Sequence, residues 1–383
     1  MRVLIMPCGI GMGHTSRCVT IAKELEKIGV EVAFASYGSG YKILSNHYNY
    51  ELYKLPEIKF YGVECELDIK YTAKKSINVP FVFLKSIYKE SRMIKKFKPD
   101  IIIADSHFSV PITAKVHGIP CVMIQNELTL NFAELYPDEK TMEYLESGLK
   151  KFVADVCNLS KVVMIPDVPG SIEIPTKLEN KVVHTGPLLR EDPRKMKDKQ
   201  QLRSEMGFNS CDRIVLVTVG GSEFGLELLK LICLASSTID ADKIVVVSGP
   251  QINDDLILET EKIVKKKFLS NMMEWMKISD VIVTLAGHTT TMEVAALGIP
   301  NLTVPIEKHP EQLRNGSNIK KYGISIVEEL KNLNIENISD NINFLLENTD
   351  IQSKVESVKT KFSSYTGTKN AVKIIMDNSR LNF

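Results

Sequence analysis

Four short runs of this 383-residue chain combine glycines with side chains able to do chemistry. The richest is Thr284-Leu285-Ala286-Gly287-His288-Thr289-Thr290-Thr291-Met292-Glu293, running on to Gly298-Ile299-Pro300. It follows an apolar β-branched run ending at Thr284 and leads into a helical pattern through Met292, Ala295 and Ala296. A strand, a glycine turn and a helix opening on unpaired backbone N–H groups make an anion site. Glu293, on the first turns of that helix, lies within reach of a ribose. One local unit could hold the phosphates and the sugar of a nucleotide, although a plain strand-to-helix turn has the same spelling.

The second run, Gly9-Ile10-Gly11-Met12-Gly13-His14, follows the first strand. It is a poor phosphate loop: the six-residue window ends in His, no acidic residue follows the second strand at Ser36-Tyr37-Gly38, and the lysine of a P-loop is missing. What remains is a histidine on a glycine turn. An imidazole, with an ordinary pKa of about 6.5, can take a proton from an attacking hydroxyl at neutral pH; it can equally cap the following helix. The third run is Gly220-Gly221-Ser222-Glu223-Phe224-Gly225, whose amides and hydroxyl suit a phosphate or a tight turn. The fourth, Pro305-Ile306-Glu307-Lys308-His309-Pro310-Glu311-Gln312, sets a carboxylate beside an amide, which can accept from and donate to neighbouring sugar hydroxyls. Asp240-Ala241-Asp242 spells a metal-binding pair but precedes a strand, at the edge away from the ligand end, and reads as a solvated turn.

These runs need elements to position them. β-Branched runs predict strands at Arg2–Met6, Glu31–Ala35, Ile101–Ala104, Cys121–Ile124, Val162–Ile165 and Val182–His184. A second series falls at Ile214–Val219, Lys243–Val247, Val281–Leu285, Leu302–Val304 and Ile324–Val327. Helical segments such as Ser16–Ile28 and Glu223–Ser236 lie between them, and the alternation implies parallel sheets covered on both faces. The charged stretch Arg190–Arg213, in which no strand can be read, is expected to be an exposed connection. The reading is therefore an α/β chain of two doubly wound, Rossmann-like domains, 1–188 and 189–365, facing across a cleft. The tail 366–383, apolar at Ala371, Ile374 and Ile375, is expected to pack back on the first domain. Ligands in such folds bind beyond the carboxyl ends of the strands, where all four runs fall.

The composition is that of an ordinary globular protein, 44% hydrophobic and 25% charged. A net charge of +1, from 48 basic and 47 acidic side chains, gives no reason to expect nucleic acid as a partner. Seven scattered cysteines without a C-x-x-C pair argue against zinc or a disulfide framework. The chain enters a strand at Val3 rather than a signal peptide, and no apolar run reaches the ~18 residues of a membrane span, so a cytoplasmic protein is expected. Residues 80–98 set Phe81, Leu84, Ile87, Tyr88, Ile94 and Phe97 at helical spacing beside six basic residues and one acid. Such a helix can dock peripherally on an anionic membrane at the inner face of the cell, or pack its apolar stripe in the core.

The ordered set of motifs resembles the GT-B glycosyltransferases of the MurG group, family 28, which move N-acetylglucosamine from UDP to a lipid-linked acceptor. The resemblance runs through Gly9 to His14, Lys98-Pro99-Asp100, Ser109-x-Pro111, Gly118-Ile119-Pro120, Thr185 to Arg190, Gly220-Gly221-Ser222, Phe268-Leu269, Gly287 to Glu293 and Gln312. It implies an inverting transferase that needs no cofactor and no obligatory metal, with a UDP-sugar as donor and a lipid-linked or other glycan acceptor. In that pattern His14 is the base. Glu293 bonds the ribose, and Phe268 and Leu269 hold the uracil. Gly11, Gly13, Arg190, Gly221, Ser222, Gly287, His288 and Thr289 serve the diphosphate side of the donor, and Glu311 and Gln312 read its sugar. The chain departs from the family at Asp105-Ser106-His107, which replaces a Gly-Gly-Tyr loop, and at Ile124-Gln125-Asn126-Glu127, which replaces His-Glu-Gln-Asn. These departures add Asp105 and Glu127 as further catalytic candidates and Ser106, His107, Gln125 and Asn126 as acceptor contacts. Glu311 to Asn315 is also similar to the UDP-glucuronosyl and macrolide transferases. Two alternatives share the architecture: a UDP-N-acetylglucosamine 2-epimerase, whose Gly-Gly-x-x-Glu-Glu signature has no match here, and a non-catalytic nucleotide-sugar-binding protein.

Overall fold

The computed structural model describes residues 1–57, 62–63, 66–67, 79–221 and 223–379. It divides into two compact units, one of Met1–Gly62, Asp68–Leu189 and Thr366–Phe383, the other of Val63–Leu67 and Arg190–Tyr365.

The first unit runs β1 (Arg2–Pro7), α1 (Gly13–Lys27), β2 (Glu31–Ser36), α2 (Gly38–His47), β3 (Glu51–Lys54), α3 (Val79–Phe97), β6 (Ile101–Asp105), α4 (Ser109–Val116), β7 (Cys121–Ile124), α5 (Lys140–Asn158), β8 (Val162–Ile165) and β9 (Val182–His184); between β3 and α3 the chain forms the two-residue strands β4 (Gly62–Val63) and β5 (Glu66–Leu67), of which Val63–Leu67 belong to the second unit. Its seven-stranded sheet has the order β3-β2-β1-β6-β7-β8-β9, parallel throughout. Strands buried on both faces need apolar residues at every position, and β1 supplies them. Val3 and Ile5 pack with Cys18, Ile21 and Leu25 of α1, while Leu4 and Met6 face Met93, Ile94 and Phe97 of α3.

The second unit follows with α6 (Lys199–Glu205), β10 (Ile214–Thr218), α7 (Leu226–Ala235), β11 (Lys243–Val247), β12 (Ile263–Lys266), α8 (Met272–Ile278), β13 (Val281–Thr284), α9 (His288–Leu297), β14 (Asn301–Thr303), α10 (Pro310–Lys320), β15 (Ser325–Val327), α11 (Ile335–Glu347) and α12 (Thr349–Ser363). Its sheet order is β12-β11-β10-β13-β14-β15, again parallel. The last helix, α13 (Gly367–Asp377), returns to the first unit. Ala371 and Ile375 enter the core cluster beside α1, and Asn370 Nδ2 donates to Thr185 O at 2.8 Å.

Two expectations need correcting. The segment after Arg190 is no bare connection, because its helix α6 buries Leu202 and Arg203. Arg203 donates to Ile278 O and to Asp280 Oδ2, and Lys199 to Asp280 Oδ1 at 2.6 Å. The charge density that suggested solvent is spent on these bonds. Strands β3 and β12 were not legible because each is the edge of its sheet. Glu-Leu-Tyr-Lys and Ile-Val-Lys-Lys cover only one side and offer no apolar run. Helix α3 divides along its length, with Met93, Ile94 and Phe97 in the core and Phe81, Leu84 and Tyr88 at 74, 63 and 63% exposed.

In each sheet the strand order reverses direction at one place, between β1 and β6 and between β10 and β13. Loops diverging there open a crevice at the carboxyl ends of the strands. The first crevice receives Gly9–His14 and Asp105–His107; the second receives Gly220–Gly221 and Gly287.

Candidate active site

In the first unit β1 and β6 pair as far as Pro7 and Asp105, and Cys8 N donates to Asp105 O at 2.8 Å. A Cβ on Gly9 would stand 2.0 Å from Tyr37 O, so this glycine allows the chain's own loops to approach. Gly11 holds φ +70 with open space where a Cβ would stand, and Gly13 opens α1. His14, next in line, is 19% exposed.

The His14 ring meets the fully buried Asp105 through Nδ1 and Oδ1, 2.8 Å apart. Arg17, one helical turn further along α1, donates Nε to Asp105 Oδ2 at 2.6 Å and Nη2 to Oδ1 at 2.5 Å. Its Nη1 donates to Asn126 Oδ1. Burial alone would push the Asp105 carboxyl up; Arg17, then His14, outweigh it and hold the group well below the usual carboxylate range. An ionised carboxylate only accepts and a guanidinium only donates; His14 Nδ1 lies 2.8 Å from Asp105 Oδ1 and 3.0 Å from Arg17 Nη2, and the shorter contact favours the proton on Nδ1. That tautomer leaves Nε2 bare, the form a general base needs.

Ser106 takes a left-handed φ of +50, which costs a non-glycine residue about 1–3 kcal/mol. Its Oγ donates to Gln125 Oε1 at 3.3 Å, and Gln125 Nε2 is buried with no partner. Glu127 lies next to them, partly exposed. Two expected acceptor contacts are placed differently. Asn126 is buried, its carbonyl oxygen taken by Arg17. His107 is 3% exposed, edge-on to Tyr37 with ring centroids 5.6 Å apart, and burial pushes its imidazole down to about 4. Its Nε2 lies 3.6 Å from Glu90 Oε1, and Ser109 and Thr113 each donate to that buried Glu90 at 2.5 Å. His107 thus supports the loop from beneath.

In the second unit Gly287 is the N-cap of α9 and offers no side chain to the first turn. His288 and Thr289 are buried within that turn. Glu293, one turn further, is fully buried, and its Oε1 accepts from Arg190 N at 3.3 Å and lies 3.2 Å from Arg190 Nε. Oε2 has no partner. Burial pushes this carboxyl up, with Arg190 opposing. Asn315 Nδ2 donates to Ala286 O at 2.9 Å and ties α10 to the glycine turn. Gln312 Oε1 accepts from Ile306 N at 2.9 Å, which spends its oxygen locally and leaves its NH2 group as the donor. Glu311 stands beside it, partly exposed, on the same first turn.

Gly221 is buried beside Gly220, and Ser222 lies outside the described residues. Phe268 and Leu269 follow β12, partly exposed. Asp240 and Asp242 are engaged by Arg213, through its side chain and its backbone N–H respectively, at the amino ends of β10 and β11. Sequence reasoning missed Arg17, Glu90 and Asn315. The visible signal for Arg17 was a charged residue three positions after His14, on a helix face shared with Cys18 and Ile21.

Two doubly wound parallel sheets, with glycine turns and helix N-termini at both switch points, define a GT-B fold. The Glycosyl transferase family 1 model matches residues 1–192, and the Glycosyltransferase family 28 C-terminal domain matches residues 214–370. The chain belongs to the GT-B glycosyltransferases and carries a family 28 C-terminal domain. It is 26% identical over 327 residues to an uncharacterized glycosyltransferase of Methanopyrus kandleri, covering 84% of this chain and 90% of that protein. It is 23% identical over 388 residues to the UDP-N-acetylglucosamine–N-acetylmuramyl-(pentapeptide) pyrophosphoryl-undecaprenol N-acetylglucosamine transferase of Clostridium botulinum, covering 98% and 99%. Among solved structures, Acinetobacter baumannii MurG shares the fold with a TM-score of 0.63 at 19% identity, covering 98% of this chain and 99% of that one. The calicheamicin glycosyltransferase CalG4 does so with 0.70 at 14%, covering 100% of both.

Proposed function

We propose that this enzyme transfers N-acetylglucosamine or a related hexose or uronic acid from a UDP-sugar to a lipid-linked or membrane-proximal acceptor, with inversion and without an obligatory metal. The observation that carries the donor reading is Glu293, fully buried with one carboxylate oxygen unpartnered. A buried polar atom without a partner calls for one, and two adjacent ribose hydroxyls supply donors of the right kind. The first turn of α9 and Arg190 offer the nearby diphosphate N–H groups and positive charge, which stabilise the leaving group electrostatically. Ser222 and Gly221 would assist there, Phe268 and Leu269 would hold the base, and Glu311 and Gln312 would meet the sugar.

In the reaction the acceptor hydroxyl oxygen attacks the anomeric carbon while the bond to the UDP oxygen breaks, and UDP leaves with the electron pair. The hydroxyl proton passes to His14 Nε2, and Asp105 stabilises the imidazolium through Nδ1–H. One displacement gives inversion. Ser106, at the rim of the same crevice, would contact the acceptor, with Glu127 near it and the buried Gln125 supporting Ser106 through Oε1. The name of the Clostridium relative, with UDP-N-acetylglucosamine as donor and a pyrophosphoryl-undecaprenol acceptor, supports this reading. A thermal-shift panel of nucleotide sugars, followed by turnover with each binder, tests it. UDP compounds are expected to raise the melting temperature in proportion to ln(1 + [L]/Kd). A shift with ADP- or GDP-sugars alone would overturn the donor assignment.

Membrane proximity rests on α3. No described helix is long and apolar enough to cross a membrane. The exposed Phe81, Leu84 and Tyr88 share α3 with Lys89, Arg92 and Lys96, which line an open surface depression together with Tyr53, Lys54 and Met93. Apolar side chains beside clustered cations suit an anionic lipid surface at the inner face of the cell membrane. At about 1 kcal/mol per basic residue, K89Q/R92Q/K96Q is expected to weaken co-sedimentation with phosphatidylserine vesicles on the order of 100-fold at low salt. Neutral phosphatidylcholine vesicles should retain little of either protein. Unchanged binding of the triple variant would remove the docking surface.

A further inference from the structure

We propose that Arg17 is a positioning residue for the transfer: it fixes Asp105 in the orientation His14 needs and balances the carboxylate's charge, so that the imidazole is aimed without being driven into its protonated form. The inference rests on the reading of His14 as the base.

The geometry is specific. Arg17 is 1% exposed and lies three residues along α1 from His14, so both side chains reach the same end of β6. Its Nε and Nη2 grip the two oxygens of Asp105 separately, at 2.6 and 2.5 Å, and set the plane of the carboxylate. Nη1 reaches across to Asn126 after β7, and Nη2 stands 3.0 Å from His14 Nδ1. One guanidinium therefore joins α1 to the loops after β6 and β7. Lysine, a single point charge, cannot reproduce that fork.

The charge matters as much as the fork. A buried carboxylate against an imidazole favours the imidazolium, and an opposite charge at such range moves a titration by about 1–3 units. Without Arg17, Asp105 would tilt the neighbouring imidazole toward the form that cannot take up the acceptor's proton. The groups facing the pair are Arg17 and Cys18 from α1, Asp105 from β6 and Asn126 from the loop after β7. Burial pushes the Cys18 thiol up, so it donates to Asp105 Oδ2 as a neutral group. With Arg17 present and the imidazole neutral, the cluster carries no net charge.

The test compares the acid limb of the kcat/KM profile in wild-type enzyme, R17K, R17M, D105N and R17M/D105N. R17M should carry the limb to higher pH by about 1–3 units. R17M strands a buried carboxylate, so the decisive pair is D105N against R17M/D105N, which differ only in the cation. The limb of D105N should lie about 1–3 units below that of the double variant. R17K should keep the wild-type limb but lose roughly 10- to 100-fold in kcat, with donor KM unchanged, because the fork is gone. The pH dependence of the His14 imidazole resonances should give the same order without turnover. Coincident limbs and resonances in D105N and R17M/D105N, or wild-type kcat in R17K, would overturn the role of Arg17. Full turnover in H14A would instead remove the base reading.

Discussion

His14→Ala is expected to lower kcat by about 10²–10⁴-fold, the usual contribution of a positioned general base, while UDP binding stays at its wild-type value. The two halves of that outcome rest on different units. The base sits at the start of α1 in the first unit, held by Asp105 on a strand end, whereas Glu293 and Arg190, which carry the nucleotide reading, belong to the second. The ring is 19% exposed and Arg17 still pairs Asp105 without it, so the melting temperature should fall less than in Asp105→Asn. Asp105 should behave differently. Asp105→Asn leaves the buried Arg17 without its carboxylate, and losing one member of a buried, bonded pair costs about 3–5 kcal/mol. It should therefore lose stability as well as rate. Measuring kcat, UDP affinity and melting temperature on both variants separates the base from its support. Turnover in His14→Ala within threefold of wild type would refute the assignment.

Glu293→Ala is expected to raise the Kd for UDP about 10- to 100-fold, the loss of one or two hydrogen bonds to a charged group. Glu293→Gln, which keeps one acceptor oxygen, should fall between. Both variants should melt no lower than wild type near neutral pH. The carboxyl is raised above its unfolded value by burial, so ionising it costs the folded state at pH above the ordinary carboxyl range. Removing it lifts that cost, and Arg190, 21% exposed, can turn its charge to water. Binding has the opposite sign. Ribose hydroxyls donate to the anion, so UDP affinity should fall as pH drops through the raised carboxyl value, and Glu293→Gln should lose that dependence. Isothermal titration across mildly acidic to neutral pH checks both statements; UDP affinity unchanged in Glu293→Ala would remove the residue from the nucleotide site.

The parallel architecture was legible because strands buried on both faces must be apolar at successive positions, as Val3 to Met6 and Ile214 to Val217 are. The glycine turns were legible for a related reason: Gly11 needs a positive φ and Gly9 a close approach, and both demands are local. Edge strands β3 and β12 escaped because one uncovered side permits Glu and Lys. Helix α6 escaped because its charges, on Arg203 and Lys199, find their partner Asp280 some 80 residues away.

The site divides in the same manner. By itself the sequence determined the class of enzyme, the glycine turns that aim helix ends at an anion, and the presence of His14 and Glu293 in those turns. Each is a property of adjacent residues. Only the tertiary structure decided what those side chains meet. Asp105 reaches His14 across 91 positions, Arg17 reaches Asn126 across 109, and Arg190 reaches Glu293 across 103. It also withdrew His107 and Asn126 from the rim and gave them supporting places. A buried charge is stable only where a partner from another element neutralises it, and that pairing depends on strand order, which local residue patterns do not encode.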